Sequence, residues 1–314
     1  MGSNPTLSAK PRETNSNVLV GTASWTDPTL IKSRRFYPKG CNSADARLRY
    51  YASKFALVEV NSSYYALPTV ENSKVWLERT PSNFTFNVKA FRLFTGHQTN
   101  VDALPPPVRV RLPPAIVAKK TIYYKDVPAE LLDLLWLFFI EALEPIRQAG
   151  KLGLVHFQFA PWLTYSSASR EHVAECVRRL SNYTLSAEFR HQTWFSDVHR
   201  EHTLRFERAL NLVHTVVDAP RGFANSVAAH WEVTHSGVAL VRLHGRNAAT
   251  WTTRSNVASD RFNYDYSDSE LATLATSISE LAARVGRVHV IFNNNYEDQG
   301  QRNASTLSRL LRSD

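Results

Sequence analysis

The stretch Leu57-Val58-Glu59-Val60-Asn61 reads as a short strand whose polar residues fall two apart, and the same design recurs along the chain. Residues i and i+2 of a strand share a face. Glu59/Asn61, Asn87/Lys89, His156/Gln158, Glu188/Arg190 and Arg242/His244 therefore each project one way. Val58, Val60, Val88, Phe157, Phe189, Val241 and Leu243 project the other. A parallel sheet closed into a barrel and wrapped by helices buries the apolar parity under helices and aims the polar parity at the axis, where a (β/α)8 barrel keeps its active site.

Working outward, β-branched and aromatic runs between turn signals predict eight strands: 18–24, 56–61, 85–90, 152–159, 185–190, 212–218, 238–244 and 288–293. Helical patterns fall between or after them at 44–53, 72–79, 129–149, 169–181, 201–209, 269–285 and 304–312, with Ser267 or Asp268 as a capping signal before the sixth. Strand–helix alternation means a parallel sheet, and a count of eight favours closure over an open doubly wound sheet. The fold class is thus α/β, a (β/α)8 TIM-type barrel over residues 17–314, preceded by a polar tail at 1–16 expected to be disordered. With 314 residues and 43% hydrophobic content the chain has enough material for one such domain.

No apolar run reaches the roughly 18 residues of a membrane span; the longest, Leu134 to Ile140, soon meets Glu141 and Glu144. The first sixteen residues lack the apolar core of a signal peptide. Cys41 and Cys176 suggest neither a disulfide framework nor a zinc site. A cytoplasmic protein without a membrane partner is expected, its oligomeric state left open. Met1 to Thr6 fits the loose acylation pattern, which chance also produces.

The net charge of +9 is concentrated. Residues 31–54 carry seven basic side chains against Asp45 alone, and residues 104–125 carry Arg109, Arg111, Lys119, Lys120 and Lys125 with no acid. Both windows follow odd-numbered strands and are expected largely at the mouth, where positive charge attracts anions. A solvated surface and a proline-stiffened loop are the plain alternative. Trp25 and Tyr64, each just past a strand, are the aromatics expected to meet a ligand.

Glu59, Glu188 and His244 are the candidate acid–base groups. His244 stands out because Gly245 beside it permits close approach. Lys89, Arg190 and Arg242 suit a phosphate or carboxylate, arginine by a bidentate fork. Asn61, Gln158, Asn293 and Asn294 are expected to orient a ligand through amide hydrogen bonds, and His97 and Asp218 complete the candidate set. Asp218, His244, Glu188 and His97 have donor types that suit Mg²⁺, Mn²⁺ or Zn²⁺, but their spacing carries no metal signature and the inward cations would repel a divalent ion. No cofactor is expected, and anion binding is favoured over a divalent metal, which stays the open alternative. No Gly-x-Gly-x-x-Gly, P-loop or Gly-x-Ser-x-Gly motif occurs.

At these strand ends the chain resembles the YecE-like family, also called domain of unknown function 72. The resemblance runs from Val20 to Leu311. Its motifs are Gly21-Thr22-Ala23-Ser24-Trp25, Val58-Glu59-Val60-Asn61-Ser62-Ser63-Tyr64-Tyr65, Val88-Lys89-Ala90 with His97, and Phe157-Gln158-Phe159-Ala160-Pro161. Ala187-Glu188-Phe189-Arg190-His191 with Trp194-Phe195, Arg242-Leu243-His244-Gly245-Arg246 with Trp251, Phe292-Asn293-Asn294 and Asn303-Ala304 continue it. The chain departs from the family pattern at Asn295, Asp298 and Gly300. The resemblance implies a (β/α)8 barrel and no established activity.

Three functions remain open on the residues alone. The first is a hydrolase or related acid–base enzyme whose barrel mouth binds a phosphorylated or nucleic-acid-derived ligand. The second is a non-catalytic nucleic-acid-binding protein using the basic loops. The third is a carbohydrate-active enzyme using a carboxylate pair about 5 to 9 Å apart.

Overall fold

A computed structural model describes residues 17–252 and 261–312; the polar tail and the acylation pattern lie outside them. The barrel strands are β1 (Val18–Ala23), β2 (Leu57–Val60), β3 (Thr85–Lys89), β4 (Leu152–Gln158), β5 (Leu185–Glu188), β6 (Val213–Asp218), β7 (Ala239–Leu243) and β8 (Val288–Phe292). All are parallel, neighbours in sequence are neighbours in the sheet, and β8 closes on β1. This is the (β/α)8 barrel expected from the parity pattern. Every expected strand is found; β6 ends at Asp218 as expected and the other seven end one or two residues sooner than their apolar runs.

The parity sorts the side chains as the sequence implied. Val58, Val60, Val88, Phe157, Phe189, Val241 and Leu243 belong to the large apolar core between sheet and helices. Inside, Ala23, Leu57, Leu154, Val213, Leu240 and Ile291 form a small separate apolar floor. The wall narrows at two glycines. A Cβ on Gly21 would stand 1.9 Å from the Leu57 carbonyl oxygen. One on Gly153, where the β3–β4 register shifts, would stand 2.6 Å from Asn87 Oδ1, which takes hydrogen bonds from His289 and the Leu154 amide.

The helices Ala44–Ala52, Val70–Glu78, Ala129–Gln148, Ser167–Arg179, Arg200–Ala209, Asp268–Ala282 and Gln299–Leu310 wrap the sheet. Ser267 caps the sixth in a reciprocal capping box with Glu270. The β6–β7 connection has no helix; Ala229, Trp231 and Val233 cover the core there instead. Thr234 ties this strap to β6, accepting from the His214 amide and donating to the Leu212 carbonyl, both at 2.7 Å. Among the described residues no helix is long and apolar enough to cross a membrane.

The two basic windows are ordered differently from expectation. Arg47, Arg49 and Lys54 lie on or just after the outer helix Ala44–Ala52, and Arg49 pairs with Asp45 at 3.0 Å, so this part of the first window does not face the mouth. The second window folds as two proline-initiated helical turns, Pro106–Arg109 and Pro114–Val117. The missing proline N–H costs nothing at a first turn. A two-residue antiparallel pair, Thr99–Asn100 with Thr121–Ile122, closes the segment, and Leu104, Val108, Leu112 and Ile122 bury it against the body. Lys119 pairs with Asp126 at 2.8 Å.

Gly21→Ala should be the costliest single-methyl change in the barrel wall, because the new carbon meets backbone that cannot yield without opening the β1–β2 ladder. A loss of about 3 kcal/mol is expected from forced repacking, read from the urea midpoint. An unchanged midpoint would contradict the wall geometry.

Candidate functional site

Above the apolar floor the inward side chains become ionic. Arg242 of β7 lies flat between two carboxylates, all three fully buried. Its Nε and Nη2 donate to Glu59 Oε2 at 3.1 Å and Oε1 at 2.7 Å, a bidentate fork, while Nη1 donates to Glu188 Oε2 and to Gln158 Oε1 at 3.2 Å. Glu188 is the hub of the opposite wall. Its Oε1 accepts from Arg190 Nη1 at 3.0 Å and from His244 Nε2 at 3.1 Å, and its Oε2 lies 3.6 Å from His156 Nε2.

Hydrogen bonding assigns the His244 proton. Asn295 donates to Asn293 Oδ1 at 3.3 Å, which turns the Asn293 amide nitrogen to His244 Nδ1 at 2.7 Å. Nδ1 accepts, so Nε2 carries the hydrogen that Glu188 receives. Burial, partly opposed by Glu188, pushes His244 down to about 4, and the ring is neutral at physiological pH. Burial alone would raise both carboxyls, but Arg242 and the surrounding donors outweigh it. Glu59 is held below and Glu188 well below the ordinary carboxylate range.

Towards solvent the site is cationic and aromatic. Lys89, at the end of β3, places Nζ 4.5 Å from the Tyr64 ring centre, and Arg190 stacks on Trp251 at 5.2 Å. His97 packs edge-on against Tyr64 at 5.3 Å and Trp162 at 5.5 Å, with Nδ1 2.8 Å from Thr95 Oγ1. Burial and the cations Lys89, Arg92 and Arg190 bring His97 down to about 3. Burial and Arg242, against Glu59 and Glu188, bring Lys89 to about 8. Among the described residues Lys89 Nζ makes no hydrogen bond and has no carboxylate within the 4.0 Å of an ion pair.

Glu59, Glu188, His244, Lys89, Arg190, Arg242, Gln158, Asn293, Tyr64 and His97 thus gather around one cleft; Asn61 follows β2 directly, and its Oδ1 is buried with no hydrogen-bond partner among the described residues. Three expected residues do not join them. Asp218 has the parity opposite to Val217 and faces outward, binding Arg246 at 2.9 Å and the Tyr266 hydroxyl at 2.6 Å. Asn294 points away from its neighbour Asn293, donating to Asn303 Oδ1 at 2.8 Å and the Tyr264 carbonyl at 2.9 Å. Trp25 packs edge-on against Trp76 at 6.0 Å, on the helix side of the sheet. The four candidate metal donors are therefore not assembled, and among the described residues no group of three or more His, Cys, Asp or Glu side chains could hold a metal ion.

His156, Ser186 and Trp251 are site residues that the candidate set lacked. His156 shares the parity of Gln158, a signal that was present in the sequence; its Nδ1 lies 2.9 Å from Ser186 Oγ. Trp251 comes from the long β7 connection, where no periodicity places it.

A family model described as "Protein of unknown function DUF72" matches residues 19–314. The UPF0759 protein YunF of Bacillus subtilis (strain 168) is 28% identical over 297 residues, covering 94% of each chain. A solved DUF72 family protein from Enterococcus faecalis V583 aligns with a TM-score of 0.77 at 22% identity, over 94% of this chain and 95% of its own. Another from Thermotoga maritima MSB8 gives 0.71 at 26% identity, over 94% and 98%.

The buried ion cluster makes a signed prediction. With folded-state carboxyl affinities below the ordinary 4.5, Glu59 and Glu188 contribute stability that is complete above that value and lost as pH falls through the folded values. Arg242→Met strands Glu59, while Glu188 keeps Arg190 and His244, and should cost about 3–5 kcal/mol at neutral pH. It should also reverse the trend for Glu59, since a carboxyl raised by burial binds a proton on folding and gains stability as pH drops below about 6. Urea melts of both proteins across this range test it; parallel pH profiles would refute the pairing.

Proposed function

The chain belongs to the DUF72 family, described only as of unknown function, and from its barrel mouth we propose an acid–base enzyme, a hydrolase or a relative, acting on a small phosphorylated or nucleic-acid-derived anion. The supporting observation is the charge balance of the cleft. Three cations, Lys89, Arg190 and Arg242, face two carboxylates, and both carboxylates are engaged by Arg242. The surplus lies at the open side. Arg190 spends one described hydrogen bond, on Glu188, and a guanidinium has five N–H donors. Among the described residues Lys89 spends none on a protein oxygen.

In this reading Arg190 anchors the anion and Lys89 beside it binds charge and exchanges protons. Glu59 and Glu188 keep Arg242 and Arg190 in place, and Glu188 fixes the tautomer of His244. The free amide hydrogens of Gln158, and Asn61, orient the ligand. A glycosidase needs one carboxyl protonated at working pH. Glu59 and Glu188, both held ionised, give that alternative less support.

Titration calorimetry with inorganic phosphate and pyrophosphate tests the proposal. Lys89 faces Glu59, Glu188, Arg190, Arg242, His97 and Tyr64, and its proton is lost near pH 8. Affinity should hold below that pH and fall above it. Lys89→Met should weaken binding about 10- to 100-fold, the worth of one charge-assisted hydrogen bond, and erase the pH step. Arg190→Met should weaken binding and keep the step. Unchanged affinity in both variants would sink the proposal. Oligonucleotide binding that falls steeply in log–log salt, with no phosphate binding, would favour the nucleic-acid binder instead.

A further inference from the structure

Two lysines of this protein are equally buried and differently employed. Lys151 is 7% exposed, and its amine is saturated by the Leu77 carbonyl at 3.3 Å, the Thr80 carbonyl at 2.9 Å and Thr80 Oγ1 at 3.1 Å. It is a structural clamp between β4 and the helix Val70–Glu78. Lys89 is 8% exposed, and among the described residues none of its hydrogens meets a protein acceptor. Its Nζ is not one of the sealed polar atoms that lack a partner, so the amine opens to the cleft instead of being clamped. The Tyr64 face at 4.5 Å and the more distant charges of Glu59 and Glu188 favour its charged form, with Arg190 and Arg242 opposing them. Lys89 also stands at the C-terminal end of a barrel strand, where side chains meet ligands.

We propose that Lys89 is a nucleophile that captures an aldehyde or ketone bearing a phosphate or carboxylate group, forming an imine at the barrel mouth. The inference rests on the anion-site reading above and adds the class of compound: Arg190 takes the anionic end and Lys89 the carbonyl.

The step balances without an oxidant or reductant. The amine lone pair bonds to the carbonyl carbon as the carbonyl π pair moves onto oxygen, giving a carbinolamine after proton transfer. The nitrogen lone pair then forms C=N as the C–O bond breaks. Oxygen leaves with the two hydrogens the amine has lost, as water. Burial, and then the guanidinium groups of Arg242 and Arg190, favour the free amine against Glu59 and Glu188, as attack requires. When the imine nitrogen takes up a proton from solvent, the Tyr64 face supports its positive charge as it did that of the ammonium. Low solvent access slows hydrolysis of the adduct.

The experiment incubates the full chain with glycolaldehyde phosphate, and separately with pyruvate, in the presence of cyanoborohydride, followed by peptide mapping by mass spectrometry. Exposed Lys39 is the internal reference. The expected result is an adduct at Lys89 formed about tenfold or more faster than at Lys39, because the lowered proton affinity of Lys89 leaves more free amine near neutral pH. Inorganic phosphate should suppress it, and Arg190→Met should slow it. Lys89→Arg, which keeps a cation but cannot condense, should remove it; its melting temperature shows whether the variant folds.

Phosphate-competed binding of either probe without an adduct at Lys89 overturns the imine and leaves the anion site standing, as does labelling of Lys89 no faster than Lys39. Failure of phosphate and both probes to bind overturns the anion site and the imine with it.

Discussion

A guanidinium placed between two carboxylates in the dry centre of a barrel constrains everything around it. Removing Arg242, Glu59 and Glu188 from water carries a desolvation cost that only close, multiply bonded pairing offsets. The pairing is of that kind: a fork to Glu59, a bond to Glu188 and one to Gln158. Once Glu188 is fixed by Arg242, its other oxygen can orient both Arg190 and His244, and Asn293 completes His244 from the far side. Strands β2, β4, β5, β7 and the end of β8 are thereby joined across the axis by side chains as well as around the wall by backbone. Such a cluster is weak evidence of net stabilisation. It is strong evidence of fixed geometry, because any displaced member leaves a charge without a partner.

The barrel was legible because one signal, period-two parity, was written eight times. Strand ends other than that of β6 were read one or two residues too long for a physical reason. Arg190 and His244 lie beyond the last ladder residues Glu188 and Leu243, yet they keep the direction of the strand because the chain has not turned. The order of the 104–125 segment was not legible. Its prolines and cations look like a solvated loop, and what packs it is tertiary burial of Val108, Leu112 and Ile122, residues too sparse to show a period. The β6–β7 strap, with no helical pattern in sequence, has no helix.

The same parity explains which candidate residues come together in the cleft. Glu59, Glu188, Arg242, Lys89 and Arg190 each sit an even number of positions from an inward neighbour. Asp218 and Asn294 were chosen for being polar at a strand end, although each follows an inward residue directly and so faces out. Trp25 fails differently. It is two residues from inward Ala23, but Ser24 between them has φ of 80°, and a left-handed residue turns the chain so that alternation no longer applies. Trp251 lay beyond any local rule, since a residue from a long connection reaches the site only through the tertiary fold.

Exposure rises through the cleft together with positive charge. The bottom is apolar, the middle is ionic, with Arg242 against two carboxylates, and the top holds Lys89 and Arg190 with part of their capacity unspent. The layer below offsets one of the two cations above it, through Glu188 and Arg190, and leaves one positive charge in excess at the open side. The cations at the top are near enough to Glu188 to be positioned by it and too little paired to be satisfied by it. A rigid, incompletely neutralised pair of cations on aromatic faces suits a small anion better than a flexible polyanion, for which the exposed basic residues of the 104–125 segment would suffice without this buried machinery. In the function proposed above, the burial beneath Lys89 and Arg190 supports a compact ligand with chemistry performed on it over a surface that only binds.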